Sequence, residues 1–206
     1  MGTKERRERE KQARRRQILA CAHKLFWEKG FSGTTMPEIA SAAELAPGTL
    51  YLYFPSKDAL YVELLVEGYG PLLERLKTAS AADGSPREQA EALVSAFLGY
   101  ARDCPECFDI IFFVLQRESS GPRQAIVDKE QLRRLEAQEE ACKAAAAEVM
   151  GRAVPDMSQD DLALTVNAIW SMLAGVVFFW RKEGKETFDQ VAARAKQLVL
   201  GALFGG

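Results

Sequence analysis

TMPEIASAAELAPGTLYLYFPSK, residues 35–57, is the stretch that decides the fold of this chain. Thr35 and Glu38 have the spacing of a capping box, in which a hydroxyl and a carboxylate each accept a hydrogen bond from a backbone N–H at a helix start. The helix that they begin ends near Ala43, and Pro47 is typical of the first position of a second helix. The stretch therefore predicts two short helices joined by a tight turn of three residues.

The second of these helices presents apolar and aromatic side chains to solvent. Leu50 and Phe54, at positions i and i+4, share the face that packs inward against the first helix. The remaining side chains point largely outward, and they are Thr49, Tyr51, Leu52 and Tyr53. Such a surface needs a partner, and in a helix-turn-helix the second helix lies in the major groove of DNA. We therefore expect this helix to bind DNA.

The residue types in this helix indicate how it contacts DNA. It contains no Arg, Asn or Gln, the side chains that discriminate guanine or adenine through paired hydrogen bonds. Hydroxyl and apolar groups are suited to phosphates and to thymine methyl groups instead. The candidates are Thr49 and Leu52 for thymine methyl groups, Tyr51, Tyr53 and Lys57 for phosphates, and Pro47 and Gly48 for close approach of the backbone.

The wider run from about Arg15 to Leu65 resembles the N-terminal signature of the TetR (tetracycline repressor-like) family of bacterial transcriptional regulators. The resemblance is carried by the segments LFWEKGF (25–31), TMPEIA (35–40), TLYLYF (49–54) and SKDAL (56–60). It implies that the matching positions contact DNA, namely Thr35, Thr49, Tyr51, Tyr53 and Lys57. It also implies that the variable remainder of the chain is a ligand-binding domain.

Positive charge is concentrated at the N-terminal end. Residues 1–57 carry eleven Lys and Arg against six Asp and Glu, a net charge of +5, whereas the remainder carries sixteen against twenty-three, or −7. Either a polyanionic partner at one end or a charged, exposed helix explains this asymmetry. Arg14, Arg15 and Arg16 correspondingly either reach a minor groove or belong to a helical extension with i,i+4 charge pairs.

The pattern of the whole chain predicts an all-α fold of about nine helices, because no long run alternates with the period of a strand. We expect residues 1–79 to form the helix-turn-helix DNA-binding head with its connecting helix. Residues 80–206 are then a helical body for ligand binding and dimerisation. The boundary lies in the polar stretch at 79–85, which precedes a second capping box at 85–88.

Several helix boundaries follow from local signals. The first helix is expected from about Lys11 to Lys29, and Ser56 is expected to cap the connecting helix. Gly68, Gly70 and Pro71 interrupt the apolar pattern of the connecting helix and predict a kink or break there.

Aromatic residues are more numerous in the C-terminal part than a small helical bundle needs. At helical spacing most of them belong to the core, but apolar ligand pockets are lined by such side chains. The candidate pocket residues are Phe97, Tyr100, Phe108, Phe112, Phe113 and Trp170.

The segment Leu162 to Trp180 has nineteen residues without a charge, which is long enough to span a bilayer. It contains Thr165 and Asn167, however, and Ser171 and Gly175 would let another helix approach closely. We therefore expect an interface between two subunits here and no membrane span.

The chain is poor in catalytic and metal-binding groups. His23 is the only histidine, and no nucleophile, phosphate-binding or metal-ligand motif is present. We expect no enzyme activity, no cofactor and no metal. Cys104 and Cys107 have C-x-x-C spacing, which either places two small thiols at a helix start or forms a redox pair. The scattered cysteines and the absence of an apolar leader favour the cytoplasm.

Together these features predict a homodimeric transcriptional regulator, most simply a repressor that a small apolar or aromatic effector releases from a palindromic double-stranded operator. A dimer is expected because one short helix buries too little surface for specific binding. Three alternatives stay open. They are an architectural or activating DNA-binding factor without a small-molecule ligand, a redox sensor that uses Cys104 and Cys107, and an all-α enzyme.

Overall fold

The computed structural model describes residues 2–112 and 128–205. Within those residues the chain is entirely helical, as predicted, with nine α-helices, a short 3-10 helix and no strand. The helices are α1 (Thr3–Lys29), α2 (Met36–Ala42), α3 (Pro47–Tyr53), α4 (Lys57–Ser80), α5 (Pro86–Asp103), α6 (Pro105–Phe112), α7 (Lys129–Ala153), α8 (Gln159–Trp180) and α9 (Lys185–Phe204), and the 3-10 turn is Arg181–Glu183.

Helix α1 begins eight residues earlier than the sequence pattern predicted, at Thr3 instead of Lys11. Its first turns are held by pairs at i,i+4: Arg6 bonds Glu10 at 3.0 Å, and the Gln12 amide donates to Glu8 at 2.8 Å. Each exposed pair contributes only a few tenths of a kcal/mol, but together they favour helix over an extended arm. The basic N-terminal segment is thus a helical extension.

Helix α4 runs without a break from Lys57 to Ser80, so the predicted break at Pro71 is absent. Proline and glycine disfavour a helix interior locally, but burial of an apolar face outweighs such propensities. Leu64 and Leu65 before the proline and Leu72 and Leu73 after it are all buried.

The chain divides into two compact units. The first comprises Met1–Gly68 and Glu106–Glu136, and the second comprises Tyr69–Pro105 and Ala137–Gly206. This division falls between Gly68 and Tyr69, within α4, and not at the expected boundary near Ala79. The separation of DNA binding and ligand binding between residues 1–79 and 80–206 stays a prediction.

The core of the first unit fixes the helix-turn-helix. Ile39 of α2, Leu50 of α3 and the adjoining Phe54 are fully buried and belong to one apolar cluster, as the i,i+4 pattern predicted. Behind them the rings of Phe26 and Tyr61 meet edge to face at 5.6 Å. The Tyr61 hydroxyl donates to the Ile110 carbonyl at 2.5 Å, which ties α4 to α6.

The second unit is built around α5, α8 and α9, which contact one another in pairs. The segment Gln159–Glu183, which is α8 with its 3-10 extension, is long and apolar enough to cross a membrane by length and composition, and the mean hydropathy of its most apolar 18-residue window is 2.0. Only 22% of its most apolar window is buried within the chain. This helix therefore carries a large uncovered apolar surface.

Candidate functional site

The predicted capping box at the start of α2 is formed. The Glu38 amide donates to the Thr35 hydroxyl oxygen at 3.4 Å, and the Thr35 amide donates to the Glu38 carboxylate at 2.8 Å. The ammonium of Lys29 donates to the other carboxylate oxygen at 2.7 Å. The hydrogen bond from Lys29, followed by those from Thr35, lowers the pKa of Glu38 to about 2. Thr35 is thereby fixed and exposed at the rim of the helix-turn-helix.

The turn between α2 and α3 is closed by a Schellman motif. The Leu45 amide donates to the Ala40 carbonyl at 2.8 Å, and the Glu44 amide donates to the Ser41 carbonyl at 3.1 Å. Glu44 has a φ of 57°, in the left-handed region that glycine usually occupies. No glycine or asparagine at this position marked the motif in the sequence.

Helix α3 exposes one side and buries the other. Leu52 is 84% exposed and Tyr51 is 48% exposed, whereas Leu50 on the opposite face is fully buried. Pro47 and Gly48 are exposed at the helix start, and a Cβ atom added at Gly48 would meet nothing within 4 Å. We call this the recognition surface, and its members are Thr35, Pro47, Gly48, Thr49, Tyr51 and Leu52.

Thr49, Tyr53 and Lys57 differ from the other candidate DNA contacts, because each is half-buried. Tyr53 packs partly against the core of the first unit. The Lys57 ammonium donates to the carbonyls of Phe31 at 2.7 Å and Thr34 at 2.8 Å, and it lies 4.3 Å above the Phe31 ring. Lys57 thus holds the loop between α1 and α2, and one of its three N–H groups is left for a further acceptor.

The second unit contains an apolar cavity of about 20 Å³. Phe97 and Trp170, two of the predicted pocket residues, line it and meet edge to face at 4.9 Å. The other lining residues are aliphatic or sulfur-containing: Leu76, Leu93, Val94, Ala146, Met150, Val166, Ile169 and Leu173. These lining residues could not be identified from the sequence, because aliphatic residues at helical spacing are typical of any buried helix face.

The remaining predicted pocket residues lie elsewhere. Tyr100 is buried in the second unit, with its ring 5.7 Å from the Arg75 guanidinium, and burial raises the pKa of its hydroxyl. Phe108 and Phe112 stack at 4.4 Å within the first unit. Phe113 lies outside the described residues.

The four cysteines are of two kinds. Cys104 and Cys107 are disulfide-bonded, so the first of the two alternatives, two separate thiols, is wrong, and Cys21 and Cys142 are free. In the part of the chain that the structure describes, no three His, Cys, Asp or Glu side chains are grouped as a metal site would require.

A stripe of small residues runs along the exposed side of α8. Ala168 and Ser171 are exposed, and a Cβ atom added at Gly175 would meet nothing within 4 Å. Large apolar side chains flank the stripe, and they are Leu164, Met172, Phe178 and Phe179. Leu198 of α9 adds another exposed apolar residue in the same unit. We call this the α8 face.

Residues 18–64 match the family model of the bacterial regulatory proteins of the tetR family. The chain is similar to the transcriptional regulator RutR of Escherichia coli, with 31% identity over 124 residues, which cover 57% of this chain and 58% of RutR. It is also similar to the transcriptional repressor KstR2 of Rhodococcus jostii, with 35% identity over 85 residues, or 41% of this chain and 42% of KstR2. The chain thus spans less than two thirds of the length of these curated relatives.

The same fold is found in a crystal structure of the transcriptional regulator FadR from Bacillus subtilis in complex with stearoyl-CoA. The two structures align over 89% of this chain and 96% of the FadR chain, with a TM-score of 0.69 and 18% sequence identity. At this level of identity the likeness establishes the fold.

Proposed function

The chain belongs to the TetR family of bacterial regulatory proteins, and on that premise we propose that it is a transcriptional repressor that a small apolar effector releases from a palindromic operator. TetR-family regulators are soluble proteins that bind DNA operators and small-molecule effectors and act as dimers. The proposal for this chain includes a homodimer, a double-stranded DNA operator and a cytoplasmic location.

The observation that carries the proposal is the recognition surface. Leu52 is 84% exposed, whereas Leu50 on the opposite face of the helix is fully buried, so the Leu52 side chain does not contribute to the core of the unit. A leucine offered to the major groove can contact the C5-methyl group of thymine. The Tyr51 hydroxyl beside it can donate to a phosphate, which fixes the helix in the groove.

The first experiment selects bound sequences from random DNA and then measures operator affinity for Leu52→Ala. Loss of the leucine contact should cost about 1 kcal/mol for each recognition helix, or about thirtyfold for a dimer. Leu132→Ala is the matched control, because Leu132 is an exposed leucine of α7.

The contact between Leu52 and thymine can also be tested by changing the DNA. Operators in which uracil replaces individual thymines lack the C5-methyl group. One such replacement should weaken wild type and leave Leu52→Ala unaffected. Equal losses in both proteins at every position would show that Leu52 does not contact thymine, and failure of wild type to select any sequence would refute DNA recognition.

The α8 face supports dimerisation. Its small residues allow close approach of a second helix, and its flanking large side chains bury apolar area when it is covered. A second copy of the chain fits this surface better than lipid does, because the exposed side of α8 also carries the polar residues Asn167 and Ser171.

Gly175→Leu tests the dimer by sedimentation velocity. The added side chain has open space within one chain, so the monomer should fold normally, but it should block close helix approach and shift the protein towards monomer. Gly70→Leu is the matched control, because Gly70 is a helical glycine in α4 with equally open surroundings. A wild-type monomer at micromolar concentration would refute the dimer.

The apolar cavity supports an apolar effector. Its volume of about 20 Å³ holds no more than a water molecule, so an effector has to displace side chains. Trp170 is half-buried at its edge and can report this displacement. In a Trp27→Phe, Trp180→Phe background, where Trp170 is the only tryptophan, an effector should change its emission and release operator DNA over the same concentration range.

Acyl-CoA esters and aromatic acids are suitable first probes. Phe97→Leu, which removes the ring in contact with Trp170, should weaken the response to an effector without altering affinity for operator. A compound that releases DNA without perturbing Trp170 emission would place the effector site elsewhere.

A further inference from the structure

Arg15 differs from the neighbouring arginines in its burial and in its ion pair. Arg14 and Arg16 are exposed, whereas the Arg15 side chain is only 26% exposed and forms an ion pair of 2.9 Å with Glu63 of α4. Glu63 itself is buried, with 8% of its side chain exposed. A buried carboxylate needs such partners, because its desolvation is otherwise costly.

The Arg15 guanidinium also contacts the C-terminal end of the recognition helix. It donates to the Tyr53 carbonyl at 3.4 Å and stacks 4.4 Å from the centre of the Phe54 ring. The carbonyls of the last turn of a helix have no partner within the helix, so this bond satisfies an acceptor that only a neighbouring group can reach. A planar guanidinium can stack and donate in its own plane at the same time, which lysine cannot do.

Helix α7 holds the other side of the carboxylate. Gln131 donates to Glu63 at 3.3 Å and to the Ala59 carbonyl at 3.2 Å, and Arg134 approaches both carboxylate oxygens at 3.4 Å. Glu63 is thus surrounded by donors from α1 and α7. All of these residues belong to the first unit.

We propose that Arg15 and Glu63 are positioning residues for DNA recognition: Glu63, held by Gln131 and Arg134, orients Arg15, and Arg15 fixes the end of α3 from which Tyr51 and Leu52 project. Arg15 therefore does not act as a minor-groove or phosphate contact, in contrast to one of the two roles that the sequence left open for it. This inference rests on the proposed DNA-binding function.

The two roles predict opposite effects for Glu63→Gln. The substitution makes the head more positive by one charge per subunit, so electrostatics alone should strengthen DNA binding. If Glu63 positions α3 through Arg15, operator affinity should instead fall at least tenfold. Measurements are made at a temperature at which circular dichroism shows the variant to be folded, so that the loss reports recognition and not unfolding.

The salt dependence of binding provides a second readout. Loss of a phosphate contact lowers the slope of log affinity against log salt by about 0.9 per contact. Arg15→Gln should lose at least tenfold in affinity with an unchanged slope, and Arg15→Lys should not restore it. Arg14→Gln and Arg16→Gln are the matched controls, because each removes one exposed charge from the same helix.

The double variant Arg15→Gln, Glu63→Gln should bind no more weakly than the weaker single variant, because both residues act on the same helix end. Equal or tighter binding by Glu63→Gln, or a slope reduced by about one per subunit in Arg15→Gln, overturns the inference. If Glu63→Gln does not fold, the slope of Arg15→Gln decides between the roles. Failure of wild type to bind any operator would instead refute the proposed function.

Discussion

Lys57→Met should destabilise the protein more than the loss of an ordinary surface charge does. Methionine keeps the apolar stem that lies over Phe31, so the change removes mainly the ammonium. The carbonyls of Phe31 and Thr34, which Lys57 reaches at 2.7 and 2.8 Å, then lose a charged donor. Hydrogen bonds to charged groups contribute about 1.5–3 kcal/mol each, and partial exposure of Lys57 to water reduces this, so we expect a loss of about 2 kcal/mol. For a chain of this size that corresponds to a decrease in Tm of about 4–8 °C.

Thermal unfolding followed by circular dichroism measures this loss, and Lys24→Met is the control. The Lys24 side chain is 75% exposed and pairs with Glu28 at only 3.9 Å, so its removal should change Tm by less than 2 °C. Operator binding at several salt concentrations then tests the second expected role of Lys57. If its third N–H contacts a phosphate, the salt slope of Lys57→Met should fall by about 0.9 per subunit. A Tm equal to that of Lys24→Met would refute the proposed hold on the loop.

Three further predictions concern a capping carboxylate, a turn residue and the two free thiols. Glu38→Gln should be less stable than wild type at pH 7, because the ionised Glu38 carboxylate, whose pKa is lowered, stabilises the fold. The difference in stability should shrink as the pH falls from 4.5 towards 2 and the carboxylate is protonated. A difference that stays constant over this pH range would contradict the prediction. Glu44→Val should unfold more easily than Glu44→Gly by about 1 kcal/mol or more, because a β-branched residue tolerates a positive φ poorly, and urea titration measures the difference. Without reductant, a thiol reagent should modify Cys21 in the folded protein and Cys142 only after unfolding, since Cys142 is fully buried and burial raises its pKa to about 12; equal rates for the two thiols would argue against this packing.

The helix-turn-helix could be predicted because its signals are local. The capping box, the proline at the start of α3 and the inward pair Leu50 and Phe54 all lie within four residues of their partners. Local signals failed where geometry or packing overrides them. Helix α4, for example, runs through Gly70 and Pro71, where local signals predicted a kink or break, because its apolar face is buried.

The surroundings of Glu63 could not be predicted for a different reason. Arg134 lies 71 residues from it along the chain, and nothing in the spacing of either residue relates the two. The apolar cavity of the second unit presents the same difficulty, because its lining comes from α4, α5, α7 and α8. Contacts between distant segments depend on the tertiary fold, which sequence pattern constrains only through the apolar face of each helix.

Helix α4 retains a local cost that its packing offsets. Proline in a helix interior is about 3 kcal/mol less favourable than alanine, and glycine about 1 kcal/mol. Pro71 has no N–H for the carbonyl four residues earlier, and Gly70 has open space where a Cβ would stand. The double variant Gly70→Ala, Pro71→Ala should therefore be more stable than wild type by up to about 4 kcal/mol. Gly68→Ala is the contrasting control, because its Cβ would lie 3.1 Å from the Ile111 side chain, so it should gain less or lose stability.

Gly70 and Pro71 both destabilise α4 locally. We propose that they serve the switch, and that α4 bends at Pro71 when effector releases DNA. Operator affinity with and without effector, measured for wild type and for the double variant, tests the idea. Without effector, the double variant should bind operator as tightly as wild type does. Effector should weaken its operator affinity by a smaller factor, because bending α4 would then break the backbone hydrogen bond that alanine restores at position 71. If the double variant is more stable but the factor is unchanged, Pro71 costs stability without contributing to the switch.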